Sequence, residues 1–461
     1  MNAANDLLIT GAAAVWTGLR GAGARLEGGL DIRIRDGRIA ATGQLAPEPG
    51  ETVLDARGGV VMPGWVNTHH HLFQSLLKGI PAGLDLDLMG WLSAVPVRWR
   101  RGFDQERTLR LAARIGLVEL LLSGCTTVSD HQYHLWPGMP WDPSAAVFDE
   151  AERLGMRLVL ARGGQTVSRL VDTTPSPQVQ PETLDQLLDG LARDVQRFHD
   201  PAPDAMRRVV CAPTTPTWSV LPDELDVIAR AARELGVRLH SHLSETVDYV
   251  RYCREVHGCT PLEFVERHGW VGPDVWYAHM VHLSPAEVRR CAETGTGIAH
   301  CPQSNGRLGS GVAPLVAALA AGVPVSLAVD GAASNEAADM LSEAHACWLI
   351  HRALHGAAAM PVADVIHVGT AGGARVLGLD AVGTLQPGQA ADLVIYDLDE
   401  PAHFGLHDPA VAPVVSGRGR ARAVLVGGRR VVEDGAIPGL DLAELRADAA
   451  AEVAALKARL A

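Results

Sequence analysis

The chain is poor in aromatic residues, has no Cys-x-x-Cys pair, carries a deficit of positive charge and has no unbroken hydrophobic run of membrane-spanning length. Each shortage excludes something. Phe, Trp and Tyr make up 5% of the 461 residues, so a ring at a loop position stands out as a contact for a flat ligand. The seven cysteines (Cys125, Cys211, Cys253, Cys259, Cys291, Cys301 and Cys347) are odd in number and dispersed. That argues against a disulfide framework and for reduced thiols, and a cytoplasmic location is expected. Lys and Arg total 40 against 53 Asp and Glu, a formal net charge of -13, and no basic stretch reverses the sign locally. Nucleic acid is thereby excluded as a partner. No basic residue precedes Arg20, so neither a signal peptide nor an Arg-rich transit peptide is expected. The uncharged run Gly311–Val329 is interrupted by Pro314, Gly322 and Pro324 and reads as a short buried helix followed by a strand, with no membrane partner.

What is present fits a compact enzyme: 47% apolar residues, 20% charged, and a mean hydropathy of +0.09. From about residue 57 to 334 a short apolar run, a polar loop and a longer amphipathic stretch recur. The strand candidates are VVMPGWVNTHHH, CTTVSDHQY, RLVLARGG, RVVCAPTT, RLHSHLSE, VWYAHMVHL, GIAHCPQSN and PVSLAVDGAAS, with helix-length stretches such as Thr108–Leu122 and Pro222–Leu235 between them. Ser284-Pro-Ala-Glu287 is a capping box with proline at the first helical position, and Gly295 closes that helix. Eight successive βα units predict an α/β fold, a (β/α)8 TIM-type barrel over residues 57–374. Residues 31–43 and 421–435 read as β-hairpins and 391–399 as a further strand. Residues 1–56 and 375–461 are therefore expected to form one small β-sandwich domain from both termini, with an Ala-rich C-terminal helix.

Polar residues collect at the C-terminal ends of the strand candidates, the face on which barrel active sites are built. His69 and His71 are two apart and point to one face. The pattern recurs at His240 and His242, with Glu245 three residues later, and Asp330 ends the eighth strand. Singly, such residues are a solvated His-rich loop or a turn carboxylate. Together, three imidazoles and a carboxylate suit Zn²⁺ or Fe²⁺ with a position open to water. By spacing alone His240 is as eligible a ligand as His242.

The motifs PGWVNTHHH (63–71), HSHLSE (240–245), AHMVHL (278–283), HCPQSN (300–305) and VDGAASN (329–335) resemble the amidohydrolase superfamily, in its cytosine/guanine deaminase and triazine hydrolase branch. The resemblance implies one metal ion, Zn²⁺ with Fe²⁺ as the alternative, held by His69, His71, His242 and Asp330. It further implies His279 against the metal-bound water, Glu245 as proton shuttle and His240 in support, and the chemistry of deamination lets Asp330 pass a second proton to the departing amine. Binuclear members carry a lysine at the fourth strand, which here reads RVVCAPTT, so a single ion is expected. For substrate binding, Gln74 offers a donor and an acceptor to a lactam edge. Arg162 offers a guanidinium to an oxygen, Trp91, Tyr133 and Trp218 offer stacking surfaces, and Asn305 is a weaker candidate. The longer stretches DVWYAHMVHL, TGTGIAHCPQSNGRLGSG and HQYHLWPGMPWDPS resemble the pterin and 8-oxoguanine deaminases of that branch. The expected reaction is deamination of a small 2-amino-4-oxo heterocycle such as isoxanthopterin or pterin 6-carboxylate. The alternatives are 8-oxoguanine or guanine deamination, triazine hydrolysis, or a catalytically inactive barrel serving as a binding subunit. A homodimer or higher homo-oligomer is compatible with this type of enzyme.

Overall fold

The computed structural model describes residues 6–27, 30–167 and 180–460. Eight parallel strands form the barrel: Trp65–His71, Cys125–Gln132, Arg157–Arg162, Arg207–Cys211, Leu239–Leu243, Val275–His279, Gly297–His300, and an eighth in two pieces, Val325–Leu327 and Asp330–Gly331. The first piece of the eighth strand pairs with the seventh strand and the second piece with the first, which closes the sheet. Thr68 Oγ1 and Ser326 Oγ, 2.7 Å apart, add a side-chain link across that seam.

The strands are buried on both faces, as near-continuous apolar runs between a barrel interior and a helix layer must be. Val66, Val159, Ala161, Val210, Ala212, Trp276, Ala299 and Ala328 share one interior cluster. Leu158 and Leu160, of opposite parity, pack outward with Leu187 and Leu191 of the helix Leu184–Phe198. The capping box at Ser284 is present, with Glu287 N donating to Ser284 Oγ (3.3 Å) and Ser284 N to the Glu287 carboxylate (2.8 Å). Gly295 ends that helix in the left-handed region. The Gly311–Val329 run resolves into the helix Leu315–Ala321 and the strand Val325–Leu327, as expected.

The strand candidate 60–71 divides at Gly64. Val60–Pro63 pairs with Leu393–Asp397 in a separate sheet, and the barrel begins only at Trp65. A Cβ at position 64 would lie 2.2 Å from the Thr126 side chain, so the chain crosses between the two sheets where only glycine fits.

Two small sheets face each other beside the barrel. One has the order Arg38–Gly43, Asp31–Arg35, Leu7–Thr10, Thr52–Asp55. The other, Arg429–Glu433, Arg420–Val426, Leu393–Asp397, Val60–Pro63, Ala14–Val15, interleaves strands from both ends of the chain. Ile9, Ile32, Ile34, Val61, Leu393, Ile395 and Leu425 fill the space between them. Arg157, opening the third barrel strand, reaches across to Asp392 (Nη2 to Oδ1, 3.0 Å), both side chains being buried. The C-terminal helix Leu442–Leu460 lies on the barrel's Glu106–Leu122 helix, where Thr108 donates to Glu452 (2.7 Å).

Candidate metal centre and active site

At the C-terminal mouth of the barrel the first strand delivers His69 and His71, the fifth His242, and the eighth Asp330, all buried. His69 Nε2 and His71 Nε2 lie 3.2 and 3.3 Å from Asp330 Oδ1, and His71 Nε2 lies 3.2 Å from His242 Nε2. The other ring nitrogens reveal what these atoms carry. His71 Nδ1 faces the carbonyl of His131 (2.9 Å) and His242 Nδ1 that of Thr214 (2.6 Å). A carbonyl only accepts, so each Nδ1 bears the hydrogen and each neutral ring turns an Nε2 lone pair inward. His240 Nδ1 donates to the Trp276 carbonyl (3.0 Å), which leaves its Nε2 to accept from His69 Nδ1 (2.8 Å). His69 Nε2 is thereby a lone pair too, and it is a buried atom without a hydrogen-bond partner among the described residues.

Burial holds His69 and His242 well below the ordinary imidazole range and so keeps them neutral. For His71 burial acts in the same direction but is outweighed by Asp330, and its pKa is raised. Burial pushes the Asp330 carboxyl up, yet the close approach of the His69 and His71 imidazoles prevails and holds it well below the usual carboxylate range. In the neutral rings each Nε2 is a lone pair, so with the Asp330 carboxylate four electron-pair donors converge, and the raised His71 pKa reflects the pull of that carboxylate. Their spacing of 3.2–3.3 Å is what two donors about 2.0–2.2 Å from one small cation require. The donor set, three nitrogens and one oxygen each braced by a further hydrogen bond, fits a zinc-type divalent ion.

Backbone strain marks the same rim. Ser244, His279, Met280 and Asp330 all have φ between 50° and 73°, uncommon for residues with a Cβ and concentrated where strands turn into functional loops. Asp330 is pinned in this conformation. Its backbone carbonyl accepts from His70 Nδ1, and its Oδ2 accepts from Ser304 (2.6 Å) and Ser334 (3.1 Å). His279, with Nδ1 on Asn305 Oδ1 (2.9 Å), turns Nε2 toward Glu245 Oε2, 3.6 Å away. Burial pushes the Glu245 carboxyl up to about 7. His279 joins His69, His242 and Asp330 in one group whose ligand atoms lie within 4.8 Å of one another, and His131 joins His69, His71 and His242 in another.

A cavity of about 600 Å³ opens onto these groups. It brings together Gln74, Trp91, Tyr133 and Trp218 with His71, His242, Glu245, His279 and Asp330, four of the six substrate-contact candidates. Gln74 Nε2 donates to Tyr133 OH (3.3 Å), while its Oε1 is buried without a donor. Trp91 is held by a bond from Nε1 to the Ala333 carbonyl (3.0 Å), and Trp218 stacks on Tyr249 at 4.3 Å.

Two candidates lie elsewhere. Arg162 has the parity of Leu158 and Leu160, so it points into the helix layer, where it meets Glu182 (2.7 Å) and lies 3.7 Å from Asp194, and it does not line the cavity. Asn305 stands behind His279 and braces its ring. His300 turns away from the cluster and meets His351 (Nε2 to Nε2, 3.1 Å). Sequence reading passed over His131, whose signal was present in the polar strand end SDHQ. It also passed over Arg100, which lies in the long excursion after the first strand and carries no motif.

Residues 60–431 match the Amidohydrolase family. The chain is 54% identical over 461 residues to an isoxanthopterin deaminase from an unknown prokaryotic organism, covering 96% of this chain and 95% of that protein. It is 39% identical over 438 residues to the 8-oxoguanine deaminase of Pseudomonas aeruginosa, covering 93% and 96%. The crystal structure of atrazine chlorohydrolase TrzN from Arthrobacter aurescens TC1 complexed with zinc superimposes with a TM-score of 0.89 at 30% identity, over 97% of this chain and all of that one (100%). The barrel, its polar mouth and these similarities lead to one assignment: the chain belongs to the amidohydrolase family, as a metal-dependent hydrolase acting on C–N bonds.

Proposed function

We propose that this protein is a zinc-dependent aminohydrolase that removes the exocyclic amino group of a 2-amino-4-oxo pterin, isoxanthopterin or pterin 6-carboxylate, as ammonia. The observation that carries the reading is the set of inward lone pairs of His69, His71 and His242 beside Asp330, opening directly onto a cavity that also holds Glu245 and flat side chains. His69, His71, His242 and Asp330 would hold a divalent ion, which would supply Lewis-acid activation of water, lowering its pKa from 15.7 to about 7.

The chain's own residues then manage position and protons. Water adds to the amino-bearing ring carbon, the adjacent ring nitrogen takes one proton, and the C–N bond breaks as the amine leaves with a second. Glu245, whose burial raises its pKa to about 7, is suited both to accept and to return a proton at neutral pH and carries the first. Asp330 carries the second. His279, fixed by Asn305, orients the attacking oxygen. Gln74 presents its unpaired Oε1 to a ring N–H, and Tyr133 and Trp218 bracket the heterocycle.

The identity to an isoxanthopterin deaminase favours the pterins, and the 39% identity to an 8-oxoguanine deaminase makes 8-oxoguanine the second reading. Ammonia release from a panel of pterins, purines and triazines decides between them. The highest kcat/KM is expected for isoxanthopterin or pterin 6-carboxylate. A purine or a triazine in first place removes the pterin assignment.

A further inference from the structure

The cavity wall contains one buried cation that the chemistry above does not use. Arg100 opens the short 3-10 turn Arg100–Gly102 and is 3% exposed. It lines the cavity, yet among the described residues its guanidinium has no carboxylate partner and its buried Nε has no acceptor. Arg251, the other cation of the wall, is exposed and paired with Asp248. The remaining charged lining residues, Glu245, Asp248, Glu255 and Asp330, are all acidic. Burial lowers the Arg100 pKa to about 10, so the group remains a cation at neutral pH.

A buried guanidinium without a counter-ion is costly to maintain unless a ligand supplies the opposite charge. The surroundings show where that ligand must lie. The Tyr133 ring meets His71 edge-on at 5.0 Å, its hydroxyl accepts from Gln74, and it lines the same cavity as Arg100. Metal-site imidazole, tyrosine ring and guanidinium therefore follow one another along one wall. A fused heterocycle whose amidine end sits at His71 and whose edge sits on Gln74 directs its second ring toward Arg100.

We propose that Arg100 forms an oxyanion subsite which selects 2-amino-4-oxo bicyclic substrates bearing an acidic oxygen function, a carboxylate or an ionisable lactam, on the second ring. The guanidinium fork matches either group through paired, charge-assisted hydrogen bonds. This inference rests on the deaminase reading above and adds the rule by which that site chooses its substrate.

The test uses the zinc-loaded enzyme, Arg100→Met and Arg100→Lys, with matched pairs differing only in the oxygen function: isoxanthopterin and pterin, pterin 6-carboxylate and pterin, 8-oxoguanine and guanine. Ammonia release gives kcat and KM, fluorescence titration gives the affinity for the deaminated pterin products, and metal content and Tm are recorded alongside. Wild type should prefer the oxygen-bearing member of each pair. Arg100→Met should reduce kcat/KM for that member on the order of 10- to 100-fold, chiefly through KM, and weaken its product to match, while the plain member changes little. Arg100→Lys, which keeps the charge but loses the fork, should fall between and serves as the deciding variant if Arg100→Met has a lowered Tm. Preferences unchanged in the variants, or both members of each pair lost alike with metal intact, would overturn the subsite while leaving the deaminase reading standing. A wild-type enzyme that releases no ammonia from any member overturns both.

Discussion

Glu245 and His279 show how one residue's place in a fold sets its chemistry. A solvent-exposed glutamate would be ionised throughout the neutral range, but burial beside the metal-site cluster pushes Glu245 up to about 7. Glu245→Gln preserves size and hydrogen bonding but cannot carry a proton. It is expected to retain a full equivalent of metal and to lose about 10²- to 10⁴-fold in kcat. Metal content and kcat measured on one preparation check this, and near-normal turnover with metal bound would place the proton shuttle on another residue. Gly331 provides a second test. A Cβ there would lie 1.9 Å from Gln74 Oε1, the far end of a flexible side chain, so Gly331→Ala should displace the Gln74 amide rather than unfold the barrel. The expected outcome is a raised KM with metal retained and Tm little changed. An unaltered KM would remove Gln74 from substrate binding.

At the scale of elements, the strand candidates were legible because each buried strand is a short apolar run ending in unusual polar residues. The pairs His69/His71 and His240/His242 also carried their own parity signal. Arg162 had no such partner, and only the alternation of Leu158, Val159, Leu160 and Ala161 between the two layers reveals that it faces the helices. Arg100 was illegible for a different reason: it reaches the cavity from an irregular excursion after the first strand, where no periodicity relates position to direction. Gly64 hid a change of sheet inside what reads as one strand, since the apolar run is continuous across it.

The helix Met340–His355 yields a prediction of its own. Glu343 on its buried face accepts from Gln303 N (3.1 Å) and Nε2 (2.6 Å), and burial, only partly opposed by these bonds, raises its pKa from 4.5 to about 8. The folded state therefore binds this proton more tightly than the unfolded chain. The resulting stabilisation is complete below pH about 4.5 and declines as the pH rises toward 8, on the order of 1.4 kcal/mol per unit within that window. Glu343→Gln should remove that slope, so the difference in Tm between variant and wild type should move in favour of the variant from pH 5 to pH 8. A pH-independent difference would contradict this account.

At the scale of the molecule, barrel and sandwich are joined by a buried ion pair. Arg157 meets Asp392, which also accepts from Gly427 N (2.7 Å), so the third barrel strand is tied to the turn of a C-terminal hairpin. Arg157→Met leaves that carboxylate buried and uncompensated and should cost about 3–5 kcal/mol in chemical denaturation, while the double variant Arg157→Met/Asp392→Leu recovers most of the loss. A single variant as stable as wild type would show that the pair is not structural. The hairpin patterns at both ends of the chain already indicated one small β-sandwich domain built from both termini, whereas the interleaving of its strands did not show in the sequence. The ion pair joins residues 235 positions apart and left no local signal.

The account as a whole depends on the inward-facing nitrogens of His69, His71 and His242 and the carboxylate of Asp330 acting as one site for one ion. The most direct measurement is a titration of zinc into chelator-treated protein while ammonia release from isoxanthopterin is followed. Activity should be absent at the start, rise linearly and reach its plateau at one equivalent. Full activity in the chelated protein, or no ammonia at any zinc level, would contradict the account.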